Sequence, residues 1–154
     1  MEEKKVLEQL QRQCARREYC TSDVRRKALK ALEGDAEAVE RVVSSLVADR
    51  FVDDLRYASA YAREKASLSG WGRVKIAFQL AGKGIPRETV EAALAEIEAD
   101  KASGKLERLA QEKYRLLKDD PACRLKMLKF LLGRGYAYEE ADAAVKNVMT
   151  HSNL

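Results

Sequence analysis

The chain has 154 residues, of which 46% are hydrophobic and 35% charged, with a formal net charge of +4. Such a composition fits one ordinary domain or several small helical units with a buried core and a highly charged surface. The modest positive charge permits a nucleic-acid or acidic-protein partner without demanding one.

From Lys4 to about Glu18, Val6, Leu7, Leu10, Cys14 and Ala15 recur on one helical face. Cys20-Thr21-Ser22-Asp23 supplies cap-type residues for a second helix reaching Leu32, which Gly34 ends. Asp35 is placed to cap a third helix carrying Ala38, Val39, Val42, Val43, Leu46 and Val47. Asp53 or Asp54 is suited to start the fourth, near Leu55–Ser67, and Gly70-Trp71-Gly72 breaks it. The fifth, Arg73–Ala81, stops where Gly82 or Gly84 takes a left-handed conformation, and Pro86 suits the start of the sixth, Arg87–Asp100. Lys101–Gly104 reads as a short polar joint. Leu106, Leu109, Ala110, Tyr114 and Leu117 mark a seventh helix, broken and restarted at Asp119-Asp120-Pro121. Leu125–Leu132 and Tyr138–Met149 follow on either side of Gly133-Arg134-Gly135-Tyr136. No alternating strand pattern is long enough to predict a sheet.

The pattern repeats. At an offset of 51 residues, Arg73, Lys75, Ile76, Leu80, Gly82 and Gly84 fall on Arg124, Lys126, Met127, Leu131, Gly133 and Gly135. Ile85, Val90 and Leu94 fall on Tyr136, Ala141 and Val145. A weaker copy lies 52 residues earlier, matching Val24 and Ala28 to Ile76 and Leu80. The expected organisation is all-α, with three tandem three-helix repeats at 1–50, 51–100 and 101–150 and a tail at 151–154. Each small unit would need its neighbours to complete a core.

The second helix of each repeat is basic and the third acidic. Arg25, Arg26, Lys27 and Lys30 lie in the first repeat, Arg73, Lys75 and Lys83 in the second, and Arg124, Lys126, Lys129 and Arg134 in the third. None of these three stretches holds an acid, whereas the third helices gather groups such as Glu88, Glu91, Glu96 and Glu98. Lined up, the second helices would present a basic stripe suited to phosphates or an acidic protein groove. The plainer alternative is an ordinary solvated surface whose ion pairs contribute little. Phe78 sharpens the choice, because it lies roughly 200° around the helix from Ile76 and so off the presumed core face. It is either an apolar anchor in a basic binding face or packed against a neighbouring unit. Trp71, between two glycines, is expected to pack.

Enzyme chemistry has no constellation here. Cys14, Cys20 and Cys123 show no CxxC spacing, so neither a disulfide framework nor a zinc site is expected. The single histidine, His151, falls in the expected tail and serves no serine or cysteine nucleophile. Capping explains Asp53-Asp54 and Asp119-Asp120 better than acid–base work does, and the glycines follow helices rather than the strand a phosphate loop needs. No catalytic residue, metal or cofactor is predicted. No apolar run approaches the roughly 20 residues that span a bilayer, and Met1-Glu2-Glu3-Lys4-Lys5 lacks a signal-peptide core. Cytoplasmic residence is expected.

Arg17-Glu18-Tyr19 with Val24-Arg25-Arg26-Lys27 begins an ordered set of motifs. It continues through Phe51-Val52-Asp53-Asp54-Leu55-Arg56-Tyr57-Ala58, Gly70-Trp71-Gly72, and Leu80 with Lys83-Gly84-Ile85. It ends on Lys129-Phe130-Leu131-Leu132 and Arg134-Gly135-Tyr136. In this order the motifs resemble the RecX family of bacterial regulatory proteins over nearly the whole chain. That family commonly has serine where Cys20 stands, so Thr21 or Ser22 is expected to cap in its place. The resemblance implies an elongated, curved helical-repeat monomer that binds the RecA filament on DNA along its groove. It implies inhibition of filament growth, and with it of ATP hydrolysis, strand exchange and SOS coprotease activity, with no catalytic residue. Direct binding to single- or double-stranded DNA is also a family trait. The alternative function is a sequence-independent DNA-binding protein acting without RecA.

Overall fold

The apolar spacing translates into nine α-helices and no strand among the described residues, 2–99 and 104–152 of a computed structural model. They are α1 (Glu3–Arg16), α2 (Thr21–Ala31), α3 (Ala36–Ala48), α4 (Asp54–Ser67), α5 (Arg73–Gly82), α6 (Arg87–Ala99), α7 (Lys105–Leu117), α8 (Cys123–Gly133) and α9 (Tyr138–Ser152). Their order follows the periodicity, and only ends differ. α8 begins at Cys123 rather than Leu125, and α9 runs on past Met149, so His151 is helical rather than part of a ragged tail. Asp100 and most of the joint expected at Lys101–Gly104 lie outside the described residues. Gly104, with φ +62°, immediately precedes α7.

The chain packs as two units. One joins Met1–Tyr61 with Leu80–Ala93, the other Ala62–Gln79 with Leu94–Leu154, so α4, α5 and α6 contribute residues to both. Six of the apolar residues matched by the internal repeat, Val24, Ala28, Ile76, Leu80, Met127 and Leu131, are fully buried.

In the first unit, Val6 and Leu10 of α1, Val24 and Ala28 of α2 and Val42 and Leu46 of α3 share one apolar core. The aspartates at the helix starts divide the work of capping. Asp35 accepts from the Ala38 amide at 3.2 Å and Asp53 from the Arg56 amide at 3.0 Å. Asp54 instead reaches away from its own helix and accepts from the Thr21 amide at 2.8 Å, closing the first turn of α2. The cap expected from Thr21 or Ser22 is not found, because both residues lie inside the helix. Cys20 occupies the cap position, and its amide donates to Asp23 at 3.2 Å. Asp54→Ala should therefore lower stability by about 1 kcal/mol, the usual cost of a lost cap, read in urea unfolding.

In the second unit, Ala110, Met127, Leu131, Ala141 and Val145 join α7, α8 and α9 around a separate core. The start of α5 is closed by backbone rather than by a side chain. The Gly72 amide donates to the Arg134 carbonyl at 2.9 Å, and the Val74 amide to the Gly135 carbonyl at 2.9 Å. Those amides have no partner within their own helix, so the turn after α8 acts as the cap of α5. Two glycines permit this approach. A Cβ on Gly72 would lie 2.5 Å from the Gly135 carbonyl carbon, and one on Gly135 would lie 2.2 Å from the Lys75 Cβ.

Candidate partner-binding surface

The helices that carry the predicted cations place some of them in the scaffold and leave others in solvent. In the first unit, Arg25 forms an ion pair with Glu40 of α3 at 2.8 Å. Lys27 sets its ammonium 5.0 Å from the Tyr19 ring centre, and Arg17 covers the same ring at 4.8 Å. Arg26 keeps 71% of its side chain exposed, with Asp23 at 3.5 Å. Lys30 is exposed and makes no ion pair among the described residues.

Lys83 has a different role. Its ammonium donates to the buried Asp23 carboxylate at 3.0 Å, joining the turn after α5 to the first turn of α2. Burial alone would push the Asp23 carboxyl up, but the bonds from Lys83 and from the Cys20 amide outweigh it and hold it below its ordinary value. The same contact pushes the Lys83 ammonium up. This cation is part of the fold.

In the second unit, Arg73 pairs with Glu140 at 3.3 Å and Arg124 with Asp142 at 3.4 Å. Lys126 bonds Asp120, which its ammonium holds below the usual carboxylate range. Lys75 lies 4.4 Å over the Trp71 ring, which Lys65 also approaches at 4.9 Å. Trp71, expected to pack, thus does so half-buried beneath two ammonium groups. The Arg134 guanidinium donates to the Ser69 carbonyl, and its Nε is buried. Lys129 is exposed and outside any ion pair among the described residues.

Phe78 is 75% exposed while Ile76 and Leu80 on the same helix are buried, so it does not pack as a core residue. Val74, one turn earlier, is 53% exposed, and sequence reasoning missed it. Its signal was the four-residue spacing to Phe78, which puts both on one face. The second unit also has a cleft of about 630 Å³ lined by Trp71, Leu94, Ile97, Leu106, Tyr136 and Asn147 among others, with no histidine or cysteine in its lining.

The set divides by contact. Lys83, Lys75 and Arg134 hold elements together, and Lys27 lies over the Tyr19 ring; Arg25, Arg73, Arg124 and Lys126 are paired with acids; Arg26, Lys30, Lys129 and Phe78 mainly face solvent.

The family profile of RecX, second three-helix domain, matches residues 53–94, which run from the Asp53 cap through α5 into α6. Proteins named "Regulatory protein RecX" align over most of the chain, including one from Clostridium tetani at 29% identity over 75% of this chain and 54% of its own length. Another, from Mycobacterium sp. (strain KMS), is 33% identical over 70% of this chain and 62% of its own length. The chain belongs to the RecX family. It spans between about half and two thirds of these curated RecX relatives. A crystal structure of RecX from Lactobacillus salivarius superposes with a TM-score of 0.85, covering 96% of this chain and 97% of that one. At 22% identity this likeness is one of fold. No helix among the described residues is long and apolar enough to cross a membrane.

Proposed function

We propose that this RecX-family chain is a non-enzymatic, cytoplasmic regulator that binds the RecA–DNA filament along its groove as a monomer and restrains filament extension. ATP hydrolysis, strand exchange and coprotease activity would fall as a consequence. The observation that carries this reading is the solvent-facing set Arg26, Lys30, Lys129 and Phe78, whose side chains do not hold the cores together. Family membership supplies the direction, since the relatives are named as regulatory proteins.

The physical basis is multivalency. A filament repeats one and the same surface many times, and each unit of this chain carries its own exposed cations, Arg26 and Lys30 in the first and Lys129 in the second. Two weak contacts then add through effective concentration. Lys30→Glu with Lys129→Glu should weaken filament binding about tenfold while leaving the melting temperature unchanged, because charge complementarity at exposed sites acts on association rather than on folding. Anisotropy with labelled single-stranded DNA, bare or coated with RecA, tests this. Binding to coated DNA that exceeds binding to bare DNA supports the filament reading. Equal binding to both, with log K falling by about 0.7 per unit of log salt for each phosphate contacted on a single strand, would instead favour a DNA-binding protein that acts alone.

A further inference from the structure

α5 is apolar on two faces. Ile76 and Leu80 are buried, while Val74 and Phe78 stand exposed one turn apart on the other side. This second apolar stripe lies opposite the buried one, and nothing among the described residues covers it. The internal repeat provides a control. At the position of Phe78, the first repeat has Arg26 and the third has Lys129, both in solvent. The scaffold therefore accepts a long cation there, and a bare phenylalanine is not required by folding. Single exposed apolar residues are ordinary, but an aromatic that the fold does not need, with a second exposed apolar side chain one turn away, has the make-up of a binding anchor.

The charges around it specify the occupant. Neither α5 nor α8 contains a carboxylate; beside the pair α5 carries Lys75, whose ammonium keeps its charge over the Trp71 ring, and Arg73, which Glu140 of α9 partly offsets. Two copies of α5 facing each other would bring like charges together, which disfavours self-association. A nucleic-acid backbone would satisfy the cations but would gain little from an exposed Val74. An acidic protein surface with an apolar pocket satisfies both.

We propose that Val74 and Phe78 form an apolar anchor that inserts into a pocket with a carboxylate-rich rim on the protein partner. The proposal rests on the filament reading above and gives that surface its central contact. Phe78 supplies the affinity and the neighbouring cations set the orientation. Anchor residues of this kind typically lower affinity by roughly 30-fold when truncated.

The test uses the full chain and RecA assembled on single-stranded DNA. Wild-type, Phe78→Ala, Val74→Ala with Phe78→Ala, and Phe78→Arg are compared by equilibrium binding at two salt concentrations, with melting temperatures taken alongside. The expected result is a loss of roughly 30-fold for Phe78→Ala, a larger one for the double variant, and unchanged melting temperatures. Phe78→Arg copies the residue of the first repeat and separates the occupants. It should weaken binding at least as much as alanine does. If Phe78→Arg strengthens binding and steepens its salt dependence, the face binds nucleic acid and the proposal is wrong. If wild-type dimerises in solution and Phe78→Ala is monomeric, the occupant is a second copy and the proposal is equally wrong. Wild-type binding that every variant retains removes the anchor but leaves the filament reading standing. Wild-type that fails to bind coated DNA removes both.

Discussion

Gly135→Ala should lower stability by about 3 kcal/mol, a combined cost of overpacking and backbone strain. Gly135 has φ +97°, where an L side chain is strained. Its new methyl would also sit 2.2 Å from the Lys75 Cβ and 2.9 Å from the Lys75 backbone nitrogen. A flexible side chain could swing aside, but helix backbone cannot. Relief requires the turn after α8 to move away from α5, and that movement breaks the bonds from the Gly72 and Val74 amides. α5 would then lose its cap along with its packing. For a chain of this size each kcal/mol corresponds to roughly 2–4 °C, so the transition should fall by roughly 6–12 °C in calorimetry. Gly133→Ala provides the comparison, because nothing lies within 4 Å of its Cβ position and it sits within α8. That variant should match or slightly exceed wild-type stability.

Lys83→Met should destabilise the first unit by about 2 kcal/mol, with an effect that depends on pH. It leaves Asp23 buried, with the Cys20 amide and the more distant Arg26 as remaining partners. Because the carboxyl of Asp23 is held below its ordinary value in the folded protein, folding is favoured by its ionisation. The unfolded group titrates near pH 3.9. Its contribution is therefore fully present above about pH 4 and is lost as pH falls through the lower folded value. The gap between wild-type and Lys83→Met should accordingly be widest near neutral pH and shrink in acid. Urea midpoints measured between pH 7 and pH 2.5 follow it directly. A constant gap across that range would mean that Lys83 acts through packing of its alkyl chain.

The fold was legible because its signals are local. Apolar spacing placed every helix, and Asp35 and Gly34 marked ends that the backbone confirms, with Gly34 at φ +83°. Pairing Ile76 with Met127 and Leu80 with Leu131 required only a repeat in sequence, and all are buried. What escaped was long-range. Asp54 looks like a cap for its own helix, and nothing nearby in sequence says that it serves Thr21 instead. Gly72 and Gly135 read as separate turn residues, and their meeting depends on how two loops fold together. The candidate surface was legible by composition but not by use. Lys83 and Lys30 look equivalent in sequence, yet one is held by buried Asp23 and the other lies in solvent. Only the position of the acids in space separates them. Phe78 was the exception, since its angle from Ile76 alone placed it off the core.

The central claim is that this chain acts on a protein filament through side chains its own fold does not use. Titrating it into RecA on single-stranded DNA while following ATP hydrolysis tests that most directly. Half-maximal inhibition is predicted at far less than one chain per RecA protomer, shifting to higher amounts for Lys30→Glu with Lys129→Glu. Hydrolysis that stays constant up to equal amounts, or inhibition that the charge reversals leave untouched, would contradict it.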